Sequence, residues 1–148
     1  MLLTKLSISE FADRLSEIMP ALTREFARHQ TEEFYKMKVT MPQFVVMEIL
    51  HRNDEIKMTD LARSMNVSTA AMTGIIDRLV RERYVIRSSD PKDRRIINVG
   101  LTEKGCKILK KIISLRKQML IKVFGIISQK EREDYLNILS HIRDHLRE

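Results

Sequence analysis

The residues with the most chemistry to offer lie close together in the middle of the chain. From Arg78 to Arg95 there are seven bases (Arg78, Arg81, Arg83, Arg87, Lys92, Arg94, Arg95) against three acids, Glu82, Asp90 and Asp93. More than half of the formal net charge of +7 therefore sits in this stretch. Guanidinium and ammonium groups at that density suit an anionic polymer, whose neutralised phosphates release counterions. Just upstream, Ser68, Thr69, Ala70, Thr73, Gly74 and Asp77 share one face of a helix and are small and mostly polar. A solvated helix face more usually carries Lys, Glu and Gln, whereas small hydroxyl side chains let a helix enter a major groove and bond bases or phosphates. Ser68, at the start of that helix, would also leave backbone N–H groups directed at a phosphate. The plain alternative is a solvated charged loop beside an ordinary helical corner.

Other chemistries find less support. An enzyme would need paired carboxylates with metal geometry, an activated nucleophile or a glycine-rich phosphate loop. No defensible Ser-His-Asp set, P-loop or dinucleotide fingerprint is present in the sequence, so no enzymatic activity and no cofactor are expected. Cys106 is the one cysteine, which rules out an intrachain disulfide. It falls in the first turns of a helix, where the dipole can lower a thiol pKa, but an inert thiol is the expectation. His141 and His145 stand one helical turn apart, a spacing that chelates metals. No further Cys or His supports them, and no metal is assigned.

The elements that must position the central residues follow from periodicity. Hydrophobic residues make up 43% and charged ones 32% of 148 residues, a composition for a folded single domain. No apolar run approaches the roughly 18 residues that span a bilayer. Met1 to Lys5 lead into charged residues without the apolar core of a secretory signal, so the cytoplasm is the expected location and no membrane association is expected. A first helix opens on a capping box, Ser7 with Glu10, carries Phe11, Leu15, Ile18, Leu22 and Phe26 on one face, and runs to about Met37. Pro20 inside it should kink it or open its hydrogen bonding. A second helix starts near Thr40 with Gln43 three residues on, and ends around Arg52 to Asp54. A third spans Thr59 to Met65. Asn66 is a left-handed turn residue, and Ser68 caps a fourth helix that ends near Arg83, with Ala71, Met72, Ile75 and Leu79 inward.

The period then changes to two. Tyr84 to Arg87 and Ile96 to Leu101 read as strands around a turn-rich tip, Ser88 to Arg94. Thr102 caps a long helix, and Ser128 with Glu131 opens a last one carrying Tyr135, Leu139, Ile142 and Leu146. The fold class is thus mainly α with a small β-wing. The small residue Ala62, the turn at Asn66 and the apolar Met72 and Ile75 have helix-turn-helix spacing. Wide apolar stripes at both ends of the chain predict that the termini pack together and against a second copy.

The run Asp93-Arg94-Arg95-Ile96-Ile97-Asn98-Val99-Gly100-Leu101-Thr102-Glu103-Lys104-Gly105 resembles the wing signature of the MarR family of regulators. Asp77-Arg78-Leu79 and Ser88 to Pro91 also match, and the helix order agrees along nearly the full chain. The resemblance implies a triangular homodimer with a winged helix-turn-helix in each lobe. It divides this single domain, 1–148, into a DNA-binding lobe at about 40–101 and dimerisation helices at about 1–38 and 102–148. It implies that the fourth helix reads the major groove of double-stranded DNA and that Arg95 probes the minor groove, held by Asp93, with Arg94 a second candidate. Ser68, Thr69, Ala70, Thr73, Gly74, Arg78, Arg83, Arg87, Lys92, Asp93, Arg94 and Arg95 form the expected DNA-binding set. One departure is Arg83, where family members usually have glycine; a left-handed arginine costs about 1 kcal/mol.

The resemblance further implies a sequence-specific transcriptional regulator, usually a repressor, on a pseudo-palindromic operator. Members often respond to small aromatic or phenolic effectors. Tyr35, Met41, Phe44, Met47 and His51, with Phe34 and Met37, fall where the first and second helices should face such a cavity, although Met and aromatic residues at this spacing equally suit plain core. The competing function is a winged-helix protein-interaction module or antagonist that does not read DNA sequence. Its wing would tolerate loss of the basic tip, and Asp93, Arg94 and Arg95 together favour retained DNA binding.

Overall fold

The structure, a computed structural model, describes residues 6–30 and 32–147. Its elements are α1 (Ile8–Arg28), α2 (Glu32–Lys36), α3 (Met41–Arg52), β1 (Ile56–Lys57), α4 (Met58–Ser64), α5 (Thr69–Arg81), β2 (Val85–Ser89), β3 (Ile97–Leu101), α6 (Glu103–Phe124) and α7 (Gln129–His145). The reading of Met1 to Lys5 lies outside the described residues.

Local chemistry sets most boundaries. Ser7 with Glu10, Thr40 with Gln43 and Ser128 with Glu131 form reciprocal capping boxes at the starts of α1, α3 and α7. These serines hold the Glu10 and Glu131 carboxyls below the usual range, chiefly through their backbone N–H groups. Helices α4 and α5 both close in Schellman motifs. After α4, the N–H of Asn66 donates to the Arg63 carbonyl at 3.0 Å and that of Val67 to Ala62 at 3.1 Å. After α5, the N–H of Arg83 donates to Val80 and that of Tyr84 to Leu79, both at 2.9 Å. Each motif needs a left-handed residue, supplied by Asn66 (φ 51°) and Arg83 (φ 62°).

Three expectations are corrected. The single helix drawn to about Met37 is two: α1 stops at Arg28, and the His29 N–H is shared between the carbonyls of Glu25 and Phe26. Phe34 of α2 and Met37 just after it pack into the central core, to which α1 contributes no residue among those described. Pro20 lies within α1, which runs on as helix to either side of it. On α5 the inward residues are Met72, Ile76 and Leu79, whereas Ala71 is exposed and Ile75 half-buried. A two-residue strand, β1, also joins the hairpin, too short for any alternation to show. The antiparallel order is β1-β3-β2, with Ile56 opposite Val99 and Arg87 opposite Val99 on the other side.

The core belongs to the middle of the chain. Val46, Met47 and Leu50 of α3, Leu61 of α4, Met72, Ile76 and Leu79 of α5, Val99 of β3 and Leu109 of α6 are essentially inaccessible. Neither α1 nor α7 contributes a buried residue among those described. Both are nevertheless amphipathic, and Phe11, Leu15, Ile18, Leu136, Leu139 and Ile142 lie exposed along them.

Candidate nucleic-acid interface

Helix α5 sits on the core through its Met72, Ile76 and Leu79 side, which leaves Thr69, Ala70, Thr73, Gly74, Asp77, Arg78 and Arg81 facing outward and exposed. The outward strip is narrow where it counts. A Cβ added at Gly74 would meet no atom within 4 Å, and the Thr73 hydroxyl is folded back onto the Thr69 carbonyl at 2.9 Å. Ser68 is the N-cap, its hydroxyl accepting from the Ala71 N–H at 3.1 Å. The other N–H groups of the first turn point outward from the end of the helix.

The wing is built around two aspartates. Asp90 accepts from the backbone N–H groups of Lys92 (2.8 Å) and Asp93 (3.1 Å), an Asx-type turn with Pro91 at its corner. The N–H of Asp90 donates to the Ile96 carbonyl at 2.9 Å and closes the loop. At its tip, Asp93 receives Nε and Nη2 of Arg95 at 3.1 and 3.2 Å on its two carboxylate oxygens, plus the Arg95 N–H at 3.0 Å. The pairing implied by the family resemblance is thus present as a two-pronged fork. These Arg95 donors hold the Asp93 carboxyl below the usual range, the guanidinium contributing most. The Arg95 side chain is 92% exposed while so oriented. A cation held in the open by its own turn is poised to bind an anion without first losing much conformational freedom. Lys92 and Arg94 are exposed on the same loop.

Arg87, one of the expected DNA-binding residues, is engaged within the protein. Its guanidinium pairs with Asp77 at 2.5 Å, from β2 across to α5. No sequence signal joins these residues, ten apart and on different elements. Arg83 is exposed in its left-handed conformation, and its carbonyl accepts from the Thr102 hydroxyl at 2.7 Å. Lys104 reaches back to the Glu82 carbonyl at 2.8 Å and lies 5.0 Å above the Tyr84 ring. The end of α5 is thereby fastened to the start of α6.

A helix-turn-helix with an open small-residue face, flanked by a wing that presents a braced arginine, is the arrangement of a winged-helix DNA reader. The MarR family model matches residues 39–97, which span α3 to the start of β3. The chain is 32% identical over 111 residues to the uncharacterized HTH-type transcriptional regulator YfiV of Bacillus subtilis, covering 73% of this chain and 69% of that one. This protein belongs to the MarR family. It is accordingly an HTH-type transcriptional regulator with a winged-helix DNA-binding fold, from a family of regulators and not of enzymes. The HTH-type transcriptional repressor MdtR of Bacillus subtilis is 29% identical over 81% of this chain and 80% of its own. A cysteine-to-serine mutant of MarR from E. coli, solved in complex with operator DNA, shares the fold. Its TM-score is 0.70 at 21% identity, covering 92% of this chain and 98% of the other.

The residues expected to face an effector cavity do not come together within one protomer of this MarR-family chain. Phe44 and Met47 are buried in the core, whereas Tyr35, Met41 and His51 are exposed. Helix α3 packs Phe44 and Met47 into the core of the lobe. Arg116 covers the Phe44 ring at 4.4 Å and donates to the Met41 sulfur at 3.7 Å. A neighbouring crevice of about 200 Å³, lined by His29, Phe34, Leu115, Arg116, Met119 and Lys122, includes none of the five. Cys106 is half-buried in the first turn of α6. His141 and His145 are exposed on α7, and no metal-ligand cluster occurs among the described residues. Among the described residues, no helix is long and apolar enough to cross a membrane.

Proposed function

We propose that this protein is a sequence-specific, cytoplasmic transcriptional repressor that binds a pseudo-palindromic operator in double-stranded DNA as a homodimer. The observation that carries the reading is the Asp93–Arg95 fork, standing 92% exposed on the Arg95 side beside the small-residue face of α5. Helix α5 enters the major groove through Thr69, Ala70, Thr73 and Gly74, and Arg95 enters the adjacent minor groove, where a narrow A·T stretch attracts a guanidinium. Ser68, Arg78, Arg83, Lys92 and Arg94 supply phosphate contacts.

The lobe of residues 40–101 reads DNA, and the helices of 1–38 and 102–148 dimerise. Support for the second role comes from the apolar faces of α1 and α7, which stay largely exposed in the protomer, with Ile8 82% and Leu136 61% exposed. A second copy removes that surface from water. Repression is favoured by the similarity to a relative named as a repressor. An aromatic anion is the expected releasing ligand: Arg116 and Lys122 offer it charge beside Phe34 and Met119.

The test is selection from random duplex DNA with the purified protein and with Arg95→Ala. Recovery of a palindrome of roughly 16–20 bp, with half-sites about one helical turn apart, is expected. Loss or blurring of that site in Arg95→Ala is expected as well. No enrichment by a folded dimer would overturn sequence reading and favour the protein-interaction alternative. Titration of the selected complex with salicylate-like compounds tests the effector, and undisturbed DNA binding would count against that class.

A further inference from the structure

A crevice of about 580 Å³ separates the wing from α5, and Lys57, Thr69, Thr73, Asp77, Arg87 and Arg95 are among its lining groups. If α5 lies in a major groove and the wing in the adjacent minor groove, the sugar-phosphate strand between those grooves must pass between the two elements. This crevice is the gap open to it. Three of its charged groups are cations and suit a phosphate strand; the Asp77 carboxylate opposes one. Asp77 is half exposed on the same outward face of α5 as Thr73. Arg87 reaches across from β2 with its Nη2 2.5 Å from the Asp77 carboxylate and 3.5 Å from the Thr73 carbonyl oxygen. Arg87 is the better buried partner, at 31% exposure against 50% for Asp77. Its guanidinium is thus engaged with α5, unlike that of Arg95.

We propose that Arg87 is a positioning residue for DNA binding: it neutralises Asp77 and ties the wing to α5, and is not itself a phosphate contact. The proposal rests on the DNA-binding reading of this face. A half-exposed ion pair adds little to stability in water. Its effect falls on binding, because phosphates entering the crevice displace water, and a bare carboxylate there repels them more strongly than in bulk solvent.

The test uses the full-length protein, anisotropy of a labelled mixed-sequence duplex of about 30 bp, and salt from about 50 to 200 mM. Arg87→Gln is expected to weaken binding about tenfold by exposing Asp77. Asp77→Asn should bind as tightly as wild type or tighter. The Asp77→Asn, Arg87→Gln double variant should return to within about twofold of Asp77→Asn and recover the wild-type salt slope. Arg87→Lys, which keeps the charge, should stay nearer wild type than Arg87→Gln. Asp77→Asn is isosteric, the Arg87 changes only shorten or recast a partly exposed side chain, and melting temperatures within about 2 °C of wild type exclude a folding effect. A double variant as weak as Arg87→Gln, with a salt slope lowered by about 0.9, would make Arg87 a phosphate contact and overturn the proposal. Wild-type protein that binds no duplex at low salt would be a different result, removing the DNA-binding reading and this inference with it.

Discussion

Arg83→Gly should make the protein more stable, and the size of the gain can be worked from the backbone. Arg83 has φ 62° and is the left-handed residue of the Schellman motif that ends α5. It cannot relax out of that conformation cheaply. Its N–H donates to Val80, and the next N–H, of Tyr84, donates to Leu79. Its carbonyl accepts the Thr102 hydroxyl at 2.7 Å, and the flanking Glu82 and Tyr84 carbonyls accept from Lys104 Nζ and the Thr102 N–H. A left-handed L-residue costs about 1–2 kcal/mol, which glycine does not incur. Glycine returns part of that gain as extra freedom in the unfolded chain, leaving about 0.5–1 kcal/mol in its favour. In a chain of this length the melting temperature should rise by roughly 1–4 °C. Urea unfolding followed by circular dichroism, at matched protein concentration because oligomerisation shifts apparent stability, reads it directly. Asn66→Gly is the internal control: Asn66 occupies the same position after α4 with φ 51°, but asparagine tolerates it, so the gain should be smaller. A neutral or destabilising Arg83→Gly would refute the strain argument. DNA affinity provides an independent readout. A salt slope shallower by about 0.9 would identify an Arg83–phosphate contact, and an unchanged slope would remove it.

Gly105→Ala should fail in the opposite sense, since its Cβ would lie 2.0 Å from the Tyr84 carbonyl oxygen and force α6 off the end of α5. A loss of about 1–3 kcal/mol or more in urea unfolding is expected, and a wild-type midpoint would contradict the close approach. Gly74→Ala has open space around the new methyl and should stabilise α5 by up to about 1 kcal/mol. It should weaken binding of the selected operator if that face is pressed into a groove; unchanged affinity would move Gly74 out of the interface. The Asp93 carboxyl should titrate below the usual carboxylate range by NMR and move back up in Arg95→Ala, because Arg95 is the main source of the depression. Since the folded value is lowered, the fork is intact above the ordinary carboxylate pKa and is lost as pH falls through the depressed value. An Asp93 titration unchanged in Arg95→Ala would deny the fork in solution.

Much of the fold was legible because its signals are local. The capping pairs Ser7/Glu10, Thr40/Gln43 and Ser128/Glu131 act within four residues of one another, and Asn66 and Arg83 lie at helix ends that their neighbours define. The Asp93–Arg95 fork spans two residues, so a motif could carry it. What failed had a longer reach. The break between α1 and α2 follows from where Phe34 and Met37 find a core, and β1 exists only because β3 offers it an edge. Which side of α5 is inward was read correctly at Met72 and Leu79 but missed Ile76, since neighbouring apolar positions compete for a core whose direction the periodicity does not supply.

The chain's own order of residue types thus settled the family, the capping boxes and the braced arginine at the wing tip, whose signals lie a few residues apart. Tertiary structure decided which expected cations are open and which are engaged. Arg95 stands exposed on its own turn, while Arg87, equally basic in the sequence, is held by a carboxylate on another element. It also decided that Phe44 and Met47 are core while Tyr35, Met41 and His51 face solvent. The physical reason is common to both: charge and hydrophobicity are properties of a residue, but partnership and burial are properties of the space that distant segments enclose.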